Sequence, residues 1–321
     1  MERDGTGWSR SAHLRLIGPL TTDHAHAGAG IDIVTLDDPD DPRIEACDIC
    51  VVQNMTVRDL SAARRLTERL ARRGAPLHLD IDDACGPPGD PALRHLMRAA
   101  HEIGFASETL AARHADAAPG RCIVRPDAID PRYWHDYRTA PAQREEDGTV
   151  RFLCMNTGTS PSTLVPVLEA MERISRDRPG GVELTLAGFD PPRLDADWLR
   201  IVPPPRRGYP ALARRARGFS ADIGIAPDRD ATTDVAFLHL AAMGLLPVVS
   251  QAEGHRAPIA EGLAVGCGAT AEAWYATLSK IAARPEGFAT VRARATAHAR
   301  EARDLLSDPE PLADRLGWAS R

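Results

Sequence analysis

Lysine is almost absent from this chain: of its 39 basic residues, Lys280 is the only one that is not arginine. Together with many alanines, this is a compositional bias without functional content. Long hydrophobic runs are missing too. The longest, Leu238–Val249, is broken by Gly244 and Pro247 and falls well short of the ~20 apolar residues a membrane-crossing helix needs. Met1–Arg10 is polar and no apolar stretch follows it, so no secretory leader is expected and a cytoplasmic location is. Positive charge is not in excess. The net charge is −6, whereas a general nucleic-acid binder is normally basic. Neither G-x-x-x-x-G-K nor G-x-G-x-x-G occurs, which removes the two best-known phosphate fingerprints. Cys47 and Cys50 form a C-x-x-C, but no second Cys or His pair accompanies them, so neither a zinc site nor a redox motif is expected.

What is present is globular. The hydrophobic fraction is 43% and the charged fraction 26%, and the many Gly and Pro have no period, so disordered and collagen-like classes are excluded. A length of 321 residues suggests about two domains. Charge divides unevenly between them. Residues 1–147 hold 18 Arg and 25 Asp or Glu, net −7, and residues 148–321 hold 21 Arg or Lys and 20 Asp or Glu, net +1. An anionic ligand is therefore less repelled by the second half. Cys50, Cys122 and Cys154 sit in apolar runs, where a reduced cysteine behaves as a small hydrophobe.

Short apolar runs alternate with amphipathic helical patterns throughout. In the first half, strands are predicted at His13–Ile17, Ile31–Leu36, Asp48–Gln53, Leu77–Ile81, Ile103–Ala106 and Cys122–Arg125. Helices are predicted at Val57–Arg73, capped by Thr56 and stopped by Gly74, and at Pro91–Ala100 and Ser107–Ala117. The segment Tyr137–Gly148 has linker composition. The alternation then restarts, with strands at Val150–Cys154, Val182–Ala187, Ile223–Ala226, Leu246–Ser250 and Leu263–Val265. Helices are expected at Leu164–Arg176, Tyr209–Arg217, Val235–Met243, Thr270–Ala283 and Thr290–Leu306. Two blocks of this kind predict an α/β protein of two doubly wound domains, residues 1–147 (linker from about 137) and 148–321, facing each other across a cleft. Ligands of such sheets bind outside the carboxyl ends of the strands.

Chemistry concentrates in a few of those loops. Asp80, Asp82 and Asp83 crowd the end of the strand Leu77–Ile81. Strand alternation points Asp80 and Asp82 the same way, and crowded carboxylates raise one another's pKa toward a useful acid or base. After Val150–Cys154 comes Thr157-Gly158-Thr159-Ser160, where Gly158 allows close backbone approach, hydroxyls face a phosphate and a helix N-terminus follows. Arg206 and Arg207, next to Tyr209, offer bidentate phosphate contacts and a ring for stacking. Pro227 and Arg229 follow another strand.

Taken in order, these segments resemble the GT-B glycosyltransferases of the retaining, family-four-like group, along most of the chain. The resemblance rests on Leu77–Asp83, Ser107–Ala111, Val124–Asp130 with Tyr133-Trp134, Val150–Thr159, Ala187–Phe189, Tyr209–Leu212, Asp222–Asp228 and Leu246–Ser250. It implies two Rossmann-like domains, the first for the acceptor and the second for a nucleotide sugar. It also implies sugar transfer with retention and no essential metal or resident cofactor, the nucleotide sugar being a co-substrate. On that basis Asp82 handles the acceptor hydroxyl proton, with Asp83 or Asp80 orienting it. Gly158, Thr159, Ser160, Arg206, Arg207, Tyr209, Pro227 and Arg229 hold the donor, with Asp234 and His239 near the family's ribose-binding acid. That acid falls at Leu240 here, and Asp127 replaces an asparagine of the family pattern. The expected partners are a nucleotide-sugar donor and a small-molecule or glycan acceptor, with no nucleic acid and no integral membrane segment, and with a homodimer left open. A non-catalytic GT-B-like protein that binds a sugar nucleotide or partners an active transferase, and a GT-B-fold enzyme with an unusual donor or a sugar-nucleotide epimerase, remain the alternatives.

Overall fold

The computed structural model describes residues 3–4, 7–8, 10–21, 38–54, 56–82, 89–117, 121–134, 148–156, 161–189, 196–203, 208–216, 218–301, 303, 305, 312 and 316. The chain divides into two units, residues 1–127 with 308–321, and residues 128–307.

The first unit carries a parallel sheet of β1 (Cys50–Gln53), β2 (Leu77–Ile81), β3 (Glu102–Phe105) and β4 (Cys122–Val124), paired in chain order. Every residue of β2 is buried, as befits a strand covered on both faces. Helices α1 (Leu60–Arg73), α2 (Pro91–Ala99) and α3 (Glu108–Arg113) connect the strands. Each N-terminus has a side-chain cap: Asp59 accepts from Ala62 N, Asp90 from Leu93 N and Ser107 from Leu110 N. Asp59, not Thr56, therefore sets where α1 begins. Gly74 closes it in the left-handed conformation, φ 73°. Leu66, Leu70, Leu79, Leu93, Leu96 and Phe105 form the heart of the core.

The second unit is built on β5 (Val150–Met155), β6 (Val182–Ala187), β7 (Leu199–Val202), β8 (Ile223–Ala226), β9 (Leu246–Ser250) and β10 (Val265–Cys267). Their spatial order is β7-β6-β5-β8-β9-β10, with every neighbouring pair parallel. Strand order reverses between β5 and β8, which is the topological switch point of a doubly wound sheet. The helices are α4 (Pro161–Asp177), α5 (Gly208–Ala216), α6 (Val235–Ala242), α7 (Ala271–Ala283) and α8 (Ala289–Glu301). Phe152, Leu184, Leu186, Ile225, Val248, Met171 and Trp274 are among the buried core. At Gly224 a Cβ would stand 2.5 Å from Leu240 Cδ2, so β8 and α6 pack this closely only because residue 224 has no side chain.

Several sequence expectations are corrected. His13–Ile17 is not a strand but a π-helical turn, with all five residues buried; a five-residue apolar run cannot distinguish the two by pattern alone. Leu199–Val202 is a strand the pattern does not announce. It is the sheet's edge, and its half-exposed positions admit Arg200. The last strand lies at Val265–Cys267, two residues beyond its expected place. The unit boundary falls near residue 127, because Ile129 N–H donates to Arg303 O (2.8 Å) and Ile129 O accepts from Leu305 N (3.0 Å). In the first unit, Leu312 and Leu316 pack with Leu16 and Leu20. The expected strand Ile31–Leu36 and most of the expected linker lie outside the described residues.

Acid should weaken the first unit through His78 on β2. Burial, then the charge of His101, pulls its pKa down to about 4, and Glu102, 3.9 Å from Nδ1, does not reverse this. A folded pKa below the unfolded ~6.5 gives stability that is complete above that value and lost as pH falls toward the folded one. Between pH 7 and 4.5 the loss is on the order of 2 kcal/mol. Denaturant titrations at pH 7 and 4.5 should show this loss in the wild type and a clearly smaller one in His78→Gln; equal losses would acquit His78.

Candidate functional site

In the first unit, the acidic end of β2 is organised by a cation from outside the sheet. Arg15, 2% exposed, is carried by the helical turn His13–Ile17. Its Nε lies 3.0 and 2.9 Å from the two Asp80 oxygens, and Nη2 is 2.6 Å from Oδ1. Nη1 donates to Arg125 O (2.8 Å) and to Asp127 Oδ1 (3.1 Å). Gln53 Nε2 donates to Asp80 Oδ2 at 3.1 Å, and Arg125 Nη2 stands 3.4 Å from Oδ1. Burial pushes the Asp80 carboxyl up, but the charges of Arg15 and Arg125 and the hydrogen bonds from Arg15 and Gln53 outweigh it. The group is held below the usual carboxylate range. Asp80 is therefore an ion-pair anchor, not a proton carrier.

Asp82 is different. It follows β2 at its carboxyl end and is half-buried. Asn54, the residue after β1, donates from Nδ2 to Asp82 Oδ1 (2.6 Å) and accepts from Asp82 N (3.0 Å). Asn54 holds φ 48°, a left-handed backbone rare outside glycine and best tolerated by Asn and Asp. Burial and the neighbouring charges of Asp127 and Asp80 raise the Asp82 carboxyl above its ordinary value, against the pull of Arg15. A carboxyl at a strand end, oriented by an amide and raised toward neutrality, is equipped to exchange a proton. Asp83 lies outside the described residues.

In the second unit, β5, β7, β8 and β9 all end on one edge of a parallel sheet. Asn156, Pro203 and the segments 227–234 and 251–255, which follow these strands, lie at that edge. Asn156 and Pro227, the residues directly after β5 and β8, follow the two strands that flank the switch point. Gly158, Thr159, Ser160, Arg206 and Arg207 lie outside the described residues. The structure places Pro227, buried, and Arg229, exposed, directly after β8. Asp234 precedes α6 and is held by Arg303, whose Nη1 and Nη2 reach Oδ2 and Oδ1 at 2.8 and 3.1 Å.

Tyr209 and His239, expected at the donor, are instead part of the interior. Trp134 Nε1 donates to Tyr209 Oη at 2.8 Å, and that hydroxyl stands 2.8 Å from His239 Nε2. Trp134, Tyr209 and His239 are 1%, 2% and 0% exposed. A polar aromatic cluster of this kind satisfies buried ring nitrogens and a hydroxyl against one another. Leu240, where the resemblance expects an acid, packs on Gly224.

Sequence reasoning missed Arg15, Gln53 and Asn54. One signal was available: an arginine inside the apolar run His13–Ile17 needs a buried counter-charge, and three aspartates on a buried strand end need a cation. No comparable signal marked Asn54. Cys47 and Cys50 are unbonded. Burial, then the adjacent Cys47, pushes the Cys50 thiol up to about 12, so it is no ready nucleophile or ligand.

No family model matches the sequence, and no curated protein matches it. Solved structures do resemble it in fold. WaaG, a glycosyltransferase involved in lipopolysaccharide biosynthesis, superimposes with a TM-score of 0.59 at 15% identity, over 79% of this chain and 81% of its own. HepE from Anabaena, in complex with UDP and glucose, gives 0.61 at 12% identity, over 85% and 78%. A UDP-N-acetylglucosamine 2-epimerase gives 0.52 at 12% identity, over 87% and 76%. The fold is that of the GT-B glycosyltransferases, with Rossmann-like α/β units. Because the epimerase shares it, the fold alone does not choose a reaction.

Proposed function

We propose that the protein is a glycosyltransferase that moves a sugar from a nucleotide-sugar donor to an acceptor hydroxyl with retention, in polysaccharide or secondary-metabolite biosynthesis. The observation that carries this reading is Asp82, a raised, amide-oriented carboxyl at the carboxyl end of β2. The second unit supports it with a switch-point edge of the kind that receives nucleotides. In this reading Asp82 handles the acceptor hydroxyl proton. The roles assigned to Gly158, Thr159, Ser160, Arg206, Arg207 and Arg229 are to bind the diphosphate. Charge builds on that group as the glycosidic bond breaks, and fixed cations and N–H dipoles lower the barrier. No metal is required of these residues.

A second reading, a sugar-nucleotide-binding protein without turnover, is favoured by one set of contacts. Leu240, His239 and Asp234, which cluster where the resemblance expects a ribose-binding acid, are engaged with Gly224, Tyr209 and Arg303. One screen addresses both readings. UDP-, GDP-, dTDP- and ADP-sugars are tested for thermal stabilisation, and any binder for transfer to an acceptor. One nucleotide class should stabilise the protein by about 2.7 kcal/mol at 100 times its Kd. Stabilisation with glycoside formation supports transfer, and stabilisation alone supports the binding protein. No stabilisation by any class refutes both.

A further inference from the structure

We propose that His255 is a positioning residue, acting through Ser250 to fix the backbone of the loop 227–234. The proposal rests on the reading above, in which that loop belongs to the donor edge. Strand β9 ends at Ser250, and a 3-10 turn, Glu253–His255, folds the His255 ring back against it. The ring is 0% exposed. Its Nδ1 lies 3.0 Å from Ser250 O and 3.3 Å from Ser250 Oγ. A carbonyl oxygen only accepts, so Nδ1 carries the hydrogen. The Ser250 hydroxyl in turn donates to Asp228 O. Ring, hydroxyl and carbonyl form one directed chain ending on the loop that holds Arg229.

The same turn grips the loop a second time. Gly254 N–H donates to Ala231 O at 2.8 Å, and a Cβ at Gly254 would stand 2.4 Å from Thr233 O and 2.5 Å from Thr233 N. Turn and loop thus touch backbone to backbone. His255 Nε2 is buried with no hydrogen-bond partner among the described residues. For packing alone, an apolar ring would avoid that unmet acceptor. The imidazole is explained by the donor it presents at Nδ1. Burial lowers its affinity for a second proton, which keeps the ring neutral.

The test compares His255→Phe, which keeps a ring and loses the donor, His255→Asn, which restores an N–H near Nδ1, and Ser250→Ala. Amide hydrogen exchange at residues 229–234 is measured on the ligand-free proteins. Affinity is then measured for whichever of UDP, GDP, dTDP and ADP stabilises the wild type. His255→Phe and Ser250→Ala should each speed exchange in the loop at least tenfold and weaken nucleotide binding about tenfold, while His255→Asn stays within about threefold of wild type on both. If the loop loosens as described but the wild type binds no nucleotide, the positioning stands and the donor reading falls. If nucleotide binds and loop exchange is alike in wild type and Ser250→Ala, or His255→Asn is as damaged as His255→Phe, the proposal is overturned. Should His255→Phe fail to fold, Ser250→Ala carries the same comparison.

Discussion

Asp82→Asn should lower the rate of sugar transfer by 10²- to 10⁴-fold, the usual contribution of a positioned acid or base, or about 3–5 kcal/mol of barrier. The substitution is nearly isosteric. The introduced amide can still accept from Asn54 Nδ2 through its oxygen, and the backbone N–H at position 82 keeps its bond to Asn54 Oδ1, so the fold should persist. Nucleotide affinity should stay within about twofold, because the edge proposed to hold the donor belongs to the other unit. The pH profile gives a further check. The Asp82 carboxyl is raised by burial and by Asp127, and it must be ionised to take a proton. The wild-type rate should therefore climb as pH rises through that elevated pKa, and the variant's residual rate should lack that limb. Unchanged turnover in Asp82→Asn would end its assignment as the proton carrier.

Arg15→Met should cost about 3–5 kcal/mol of stability, the typical effect of removing one partner of a buried ion pair. That is a large share of the roughly 5–15 kcal/mol that holds an ordinary domain. The guanidinium is 2.6 Å from Asp80 and 3.1 Å from Asp127, with both carboxylates almost fully buried. Removing it takes the nearest cation from Asp80 and a cation from Asp127, leaving Asp80 with Arg125 and Gln53. Urea titration should show the loss at pH 7, and Arg15→Met with Asp80→Asn should recover part of it. The sign with pH follows from Asp80, whose folded pKa is depressed: its contribution is complete above the unfolded value of about 3.9 and disappears as pH falls below it. The difference between wild type and Arg15→Met should therefore shrink in acid. A loss under about 1 kcal/mol would mean that Gln53 and Arg125 suffice to hold Asp80.

The buried parallel strands were easy to read from sequence, because Val52, Leu79, Ile225 and Val248 stand in continuous apolar runs that few other structures tolerate. The edge strand at Leu199 was not, since half-exposed edge positions admit polar residues and dissolve the pattern. For the site, the strand-end position of Asp82 was legible, but its difference from Asp80 was not. That difference depends on Arg15, 65 residues away in sequence, and pairings at that separation leave no local periodicity. Tyr209 and His239 misled for a related reason. A polar ring near a loop expected to bind the donor reads as available until its partner Trp134, 75 residues from Tyr209, is seen.

The membership of residues 308–321 in the first unit bears on how the chain is made. The first unit cannot be completed on the ribosome until residues 312–316 have emerged, because Leu16 and Leu20 wait for Leu312 and Leu316. The second unit, contained in one uninterrupted stretch, can close earlier. Removing residues 308–321 would therefore injure the first unit rather than the second, and an excised 128–307 is the fragment to express alone.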